Sequence, residues 1–178
     1  MEQRAPDLVH EVTRIIPLQK LGDLFKRLVQ EQVSIRDLRT ILEAIVVWAP
    51  KEKDQVMLSE YIRVALKRQI SFKYCAGQNM LPAVLLDPNC EEKIRQSIRQ
   101  TSSGAFLALD PQSVQRFLDE VRRVVGKRGD IKTVIICSMD IRRYVRRLIE
   151  GEFYEVPVID YQELTSDISV QPIDRIRI

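Results

Sequence analysis

The sequence predicts an α+β fold: an all-helical subdomain over residues 1–70, then an α/β subdomain over residues 71–178 with a small mixed sheet covered by helices. Two changes along the chain predict it. Up to residue 70 the apolar residues recur at helical spacing, whereas beyond it short apolar runs bounded by Gly, Pro and Asp alternate with helical stretches. The composition agrees: 45% hydrophobic and 30% charged residues with 6 Gly and 8 Pro in 178 residues exclude a disordered, collagen-like or low-complexity chain.

In the first third, Leu8, Val9, Val12, Ile15 and Ile16 keep helical spacing until Pro17, which lacks an N–H and restricts the residue before it. Pro17 to Gln30 reads as a second helix with Leu18, Leu21, Leu24, Phe25, Leu28 and Val29 on its apolar face. Ser34-Ile35-Arg36-Asp37 has the pattern of a helix start, with Ser34 as cap and Asp37 reaching back. A third helix then runs to Ala49-Pro50 on Ile35, Leu38, Ile41, Leu42, Ile45 and Val46. A fourth, over Lys51 to Gln69, packs Leu58, Ile62, Ala65 and Leu66 inward.

Beyond that point Ile70 to Tyr74 and Leu81 to Leu86 read as two strands joined by a hairpin at Gly77-Gln78-Asn79, with Pro82 placing the second at a sheet edge. A weak helix over Glu91 to Gln100 ends at Thr101-Ser102-Ser103-Gly104, before a strand over Ala105 to Leu109. Asp110-Pro111 opens a strong helix on Val114, Phe117, Leu118, Val121, Val124 and Val125. Gly126 to Asp130 is a loop, and Thr133 to Cys137, apolar on both faces, is the central strand. A helix capped by Ser138 or Asp140 turns Ile141, Tyr144, Val145, Leu148 and Ile149 inward and Arg142, Arg143, Arg146 and Arg147 outward. Val156 to Ile159 and the tail from Ile168 to Ile178 supply further strands.

No run approaches the ~18 to 20 apolar residues of a bilayer span, and the first thirty residues lack a signal-peptide core, so a soluble segment is expected. Cys75, Cys90 and Cys137 are odd in number and form no CxxC pair, which points to a reducing compartment. His10 is the one histidine, so no His-based metal site, Cys–His pair or Ser-His-Asp triad can be assembled away from the chain's beginning. Val125-Gly126-Lys127-Arg128 has Val121 and Arg128 where a phosphate loop needs Gly and Ser or Thr. Glu91-Glu92 and Asp119-Glu120 are adjacent in sequence and diverge around a helix. No enzyme, metal or cofactor is expected. The net charge of +3 is small, but 19 of the 28 basic residues are Arg, the side chain suited to bidentate pairing with carboxylates. Arg142, Arg143, Arg146 and Arg147, with Arg122, Arg123, Lys127 and Arg128, could form a basic face for a phosphorylated ligand, a nucleic acid or an acidic partner. The plainer account is a solvated helix face, since charge runs usually solvate and only Tyr144 lies among them, on the buried side.

Several collinear blocks resemble the major export-gate protein family of bacterial type III secretion systems, the SctV family of injectisomes with its flagellar relative FlhA. They are Ile16 to Lys20, Val33 to Glu43, Glu52-Lys53-Asp54, Tyr61 to Leu66, Gln100 to Pro111 and Asp140 to Tyr144. The last two are closer to the injectisome branch. The likeness runs from Val12 to Ile178 and implies the third, helical, and fourth, α/β, cytoplasmic subdomains of that family. It also implies a homo-nonameric ring on the cytoplasmic face of the inner membrane, receiving chaperones, substrates and gatekeeper proteins, with no nucleic acid and no catalysis. Carried onto this chain, it makes Arg36, Asp37, Arg39, Glu43 and Arg63, the outward polar positions of the matched helices, the ring-contact candidates.

Overall fold

The computed structural model describes residues 6–102, 104–126 and 133–178. The chain divides into two compact units, Met1–Lys73 with Glu163–Thr165, and Tyr74–Gln162 with Ser166–Ile178. In the first, Pro17 separates α1 (Pro6–Ile15) from α2 (Leu18–Gln30), and α3 (Leu38–Trp48), α4 (Gln55–Ala65) and α5 (Lys67–Cys75) follow, α5 running two residues into the second unit. Val12, Leu24, Leu28, Ile41, Ile45, Ile62, Leu66 and Ile70 are buried at helical spacing. On α2 the burial narrows to Leu24 and Leu28, while Leu18 and Val29, expected in the core, are 73% and 54% exposed.

Helix starts here follow side-chain acceptors. The Asp37 Oδ1 accepts the Thr40 N–H at 3.2 Å and its Oδ2 accepts the Thr40 hydroxyl at 2.7 Å, so α3 begins three residues later than the Ser34 signal predicts. Ser34 instead closes a local turn by accepting the Arg36 N–H. Asp54 caps α4 through the Val56 N–H at 2.8 Å, which excludes Lys51 to Lys53 from the helix. The predicted strand Ile70 to Tyr74 is also corrected. Leu66 and Ile70 continue the helical burial, and α5 ends only where Ala76 and Gly77 take φ of 49° and 81°. Gly77-Gln78-Asn79 is therefore a helix exit, with the Gln78 N–H donated to the Cys75 carbonyl.

The second unit contains β1 (Met80–Leu86), α6 (Pro88–Gln96), β2 (Ile98–Thr101), β3 (Gly104–Leu107), α7 (Pro111–Gly126), β4 (Ile135–Cys137), α8 (Met139–Ile149), β5 (Val158–Asp160) and β6 (Ser169–Ile176). Its main sheet has the order β5-β4-β1-β6, and all its pairings are parallel. Among the described residues antiparallel pairing is confined to β2 and β3, which form a separate hairpin. Thr101 and Gly104 thus pair across the hairpin and do not end a helix; Gly104 has φ 123°, open to glycine, and Ser103 lies outside the described residues. The loop expected at Gly126 to Asp130 falls mostly outside them too.

One face of the sheet, through Val84, Leu86, Ile135, Cys137, Val158 and Ile176, forms a buried cluster with Cys90 and Ile94 of α6, Phe117, Val121 and Val124 of α7, and Ile141, Val145 and Ile149 of α8. The alternate residues Ala83, Leu85, Ile136 and Ile159 are buried as well, the two-sided burial that parallel strands require. Pro82 does not put β1 at an edge. Its ladder with β4 covers only Val84 and Leu85, so Pro82 lies on a stretch flanked by β6 alone. The edges are β5 and β6, and in β6 Ile173 is an extra residue bulged out beside Pro172.

Two stability measurements follow. Gln32 ends α2 at φ 57°, with Val33 N–H bonded to the Leu28 carbonyl and Gln32 N–H to that of Val29, a helix stop that usually holds glycine. Gln32→Gly is expected to raise the unfolding free energy by about 0.5–1 kcal/mol in urea titrations. The Ser113 hydrogen bonds hold the Asp110 carboxyl, the α7 cap, below its usual range. Its contribution is full above the unfolded value of about 4 and is lost as pH falls through the depressed folded value. Asp110→Asn, which keeps the acceptor, is expected to remove that part of the acid-induced decline in thermal melts.

Candidate interaction surface

The loop into α3 and its first two turns display four of the five expected ring-contact residues. Arg36, Asp37, Arg39 and Glu43 are all exposed. Asp37 is committed to capping, and Arg39 donates from Nε to Glu43 at 2.8 Å across one helical turn. The Glu43 hydrogen bond, with its charge, raises the Arg39 pKa. The group offers both signs of charge on a rigid helix end, suited to fixing register against a neighbour more than to supplying affinity.

Arg63 corrects the expectation. It is 3% exposed, and Nε and Nη2 form a two-pronged contact with the Glu163 carboxylate at 2.8 and 2.7 Å, while Nη1 reaches Glu31 at 3.2 Å. Glu163 is fully buried. The Ser71 hydroxyl lies 3.4 Å from the Glu163 carbonyl and accepts the Thr165 N–H at 3.0 Å, so α4 and α5 together hold residues 163–165 inside the helical unit. On α4 the spacing Ser59, Ile62, Arg63, Leu66 puts the arginine on the buried face, where only a partnered guanidinium is tolerated.

The basic face expected on α8 is corrected in the same way. Arg142 and Arg146 are buried. Arg142 donates to the Val158 carbonyl at 3.0 Å, and Arg146 donates to the carbonyls of Val156 and Tyr154 at 3.0 and 3.1 Å. Both therefore hold the segment that leads into β5. Arg143 is half-buried over the Tyr144 ring and bonds its hydroxyl at 2.6 Å, leaving Arg147 alone of the four exposed. Arg122 pairs with Asp119 and Glu152, and Arg123 with Glu120 and Asp174, and these carboxylates raise both arginines' pKa values. Lys127 and Arg128 lie outside the described residues.

Sequence reasoning missed Glu91. In open parallel sheets, phosphate groups bind beyond the strands' carboxyl ends at helix N-termini. Beyond β4, at the start of α8, the Glu91 carboxylate accepts the Ser138 N–H at 2.9 Å and the Ser138 hydroxyl at 2.6 Å. The protein's own carboxylate fills this anion position, and Asp87 likewise caps α6 through the Asn89 N–H. The cysteines offer no nucleophile: all three are buried, burial with Asp87 and Glu91 pushes Cys90 up to about 12, and burial with Asp167 raises Cys75. Among the described residues no helix is long and apolar enough to cross a membrane.

The Arg63 contact generates a measurement. Arg63→Ala strands the buried Glu163 carboxylate and is expected to cost roughly 3–5 kcal/mol in chemical denaturation. Arg39→Ala, at an exposed pair, is expected to leave the midpoint near that of the parent.

Residues 1–169 match the FHIPEP family. The chain is 53% identical over 178 residues to the low calcium response locus protein D of Yersinia pestis, covering 99% of this chain and 25% of that protein. Among solved structures, the Chlamydia pneumoniae CdsV chain in the CdsV and CdsO protein complex superposes with a TM-score of 0.93 at 54% identity, covering 99% of this chain and 53% of that one. The nonameric SctV-C from EPEC, solved by cryo-EM, gives 0.92 at 40% identity, with coverage of 99% and 53%. The chain thus spans about a quarter of the curated relative and about half of each solved chain.

Proposed function

The chain belongs to the FHIPEP family, and we propose on that premise that it is a ring-forming, docking portion of a type III secretion export gate, serving protein secretion across the bacterial inner membrane from its cytoplasmic face. The observation that carries this reading is the close superposition on a chain solved as a nonamer, over nearly every residue of this one. In the full-length protein the partners are sister copies of the same chain, together with secretion chaperones, substrates and gatekeepers; the Chlamydia relative is solved in complex with a second protein, CdsO. The module works without catalysis or cofactor, as a surface that presents and registers.

The exposed group Arg36, Asp37, Arg39 and Glu43 is the proposed contact between neighbours, with Arg63 reassigned to the interior. Each exposed charge pair contributes only about 0 to 1 kcal/mol, so closure depends on repetition round the ring and on tethering of the copies by the rest of the protein. The alternative, an arginine-rich face for nucleic acid or phosphate, loses its geometry with Arg142 and Arg146 turned inward and Glu91 seated at α8.

The test uses the full-length protein in its secreting host. Arg39→Glu and Glu43→Arg are each expected to reduce ring particles in electron micrographs and to reduce secretion. The double swap keeps the pair within the helix but reverses its field, and is expected to fail as the single changes do. Ring numbers and secretion equal to the parent in all three variants would reject this contact.

A further inference from the structure

We propose that the ring contact runs head to tail, with the outward stripe of α3 in one copy seated on the outward face of α2 in the next. This rests on the ring reading above and names the surface that receives the α3 group. A closed ring of more than two copies needs two different patches on each chain, because a patch that meets itself yields a closed pair. Arg36, Arg39 and Glu43, extended along the helix by the exposed Val47, supply only one of them.

α2 supplies the other. Its apolar arc is wider than the fold covers: Leu24 and Leu28 are buried, while Leu18 and Val29 stand exposed on one stripe with the half-buried Gly22 and Phe25. Gly22 sits in the middle of this stripe. A Cβ there would meet no atom within 4 Å among the described residues, so packing inside the chain does not call for a glycine that weakens the helix interior. A second helix laid across that position can approach closely.

Charge fixes which helix it is and which way it runs. α2 shows the exposed pair Asp23–Lys26, acid first, at 3.9 Å, and α3 shows Arg39–Glu43, base first, at 2.8 Å. Laid parallel, the two helices set Asp23 against Arg39 and Lys26 against Glu43; laid antiparallel, like charges meet at both steps. The parallel alignment also brings Val47 within about one turn of Val29. The charge pairs set register, and Leu18, Val29 and Val47 supply apolar area. Within one chain α4 packs against both α2 and α3, which have no comparable contact with each other, so they occupy different sides of α4 as head-to-tail repetition requires.

The test uses the full-length protein in membranes of its secreting host, with rings counted in electron micrographs. Lys26→Cys/Glu43→Cys, treated with a short bismaleimide, is expected to give a ladder of covalent multimers that runs past the dimer. Each single variant is expected to give none, the native cysteines being buried. Gly22→Leu is expected to lose most ring particles, while the 178-residue chain carrying it melts at or above the parent temperature. With rings present in the parent, the absence of a ladder, a ladder that stops at the dimer, crosslinking in a single variant, an unchanged ring count in Gly22→Leu or a lowered melting temperature would each overturn this contact and leave the ring reading standing. A parent that forms no rings would overturn both.

Discussion

A guanidinium removed from water has to keep its hydrogen bonds, and much of this molecule is arranged around that demand. Arg63 meets it with the Glu163 and Glu31 carboxylates, and Arg142 and Arg146 meet it with the carbonyls of residues 154–158. In each case the arginine stands on a helix and its acceptors belong to a segment distant in sequence or without regular structure of its own. The helix supplies a rigid mount and the fork of donors immobilises irregular chain. The connection after α8 and the return at residues 163–165 are thereby fixed without a long hydrophobic element to anchor them.

The parts of the fold that were legible in the sequence are those where local signals agree with burial. Asp110-Pro111 opening α7, Pro17 dividing α1 from α2, and the doubly apolar strand at β4 are of this kind. The parts that were not legible depend on partners far along the chain. Ile70 to Tyr74 reads as a strand by composition, yet without a pairing partner its residues stay in the helix that Leu66 and Ile70 continue. Ile98 to Thr101 reads as the tail of a helix, yet pairs with β3.

The arginines illustrate the same limit more sharply. Arg142, Val145, Arg146 and Ile149 have the spacing of one helical face, and that spacing is visible in the sequence; charge alone suggested the opposite placement. For Arg63 the spacing with Ser59, Ile62 and Leu66 carried a similar signal. Glu163 could not have been paired with it from sequence, because the contact joins positions 100 residues apart. The four exposed residues at the start of α3 were put forward as ring contacts through family resemblance alone, and the structure adds that one is a cap and two are already paired with each other.

The carboxylate of Glu91 at the head of α8 has a wider consequence. An α/β layout of the kind that elsewhere answers to nucleotides carries here a carboxylate of its own at the position a phosphate would take. A phosphate approaching the head of α8 would first have to displace a carboxylate that already accepts both Ser138 donors.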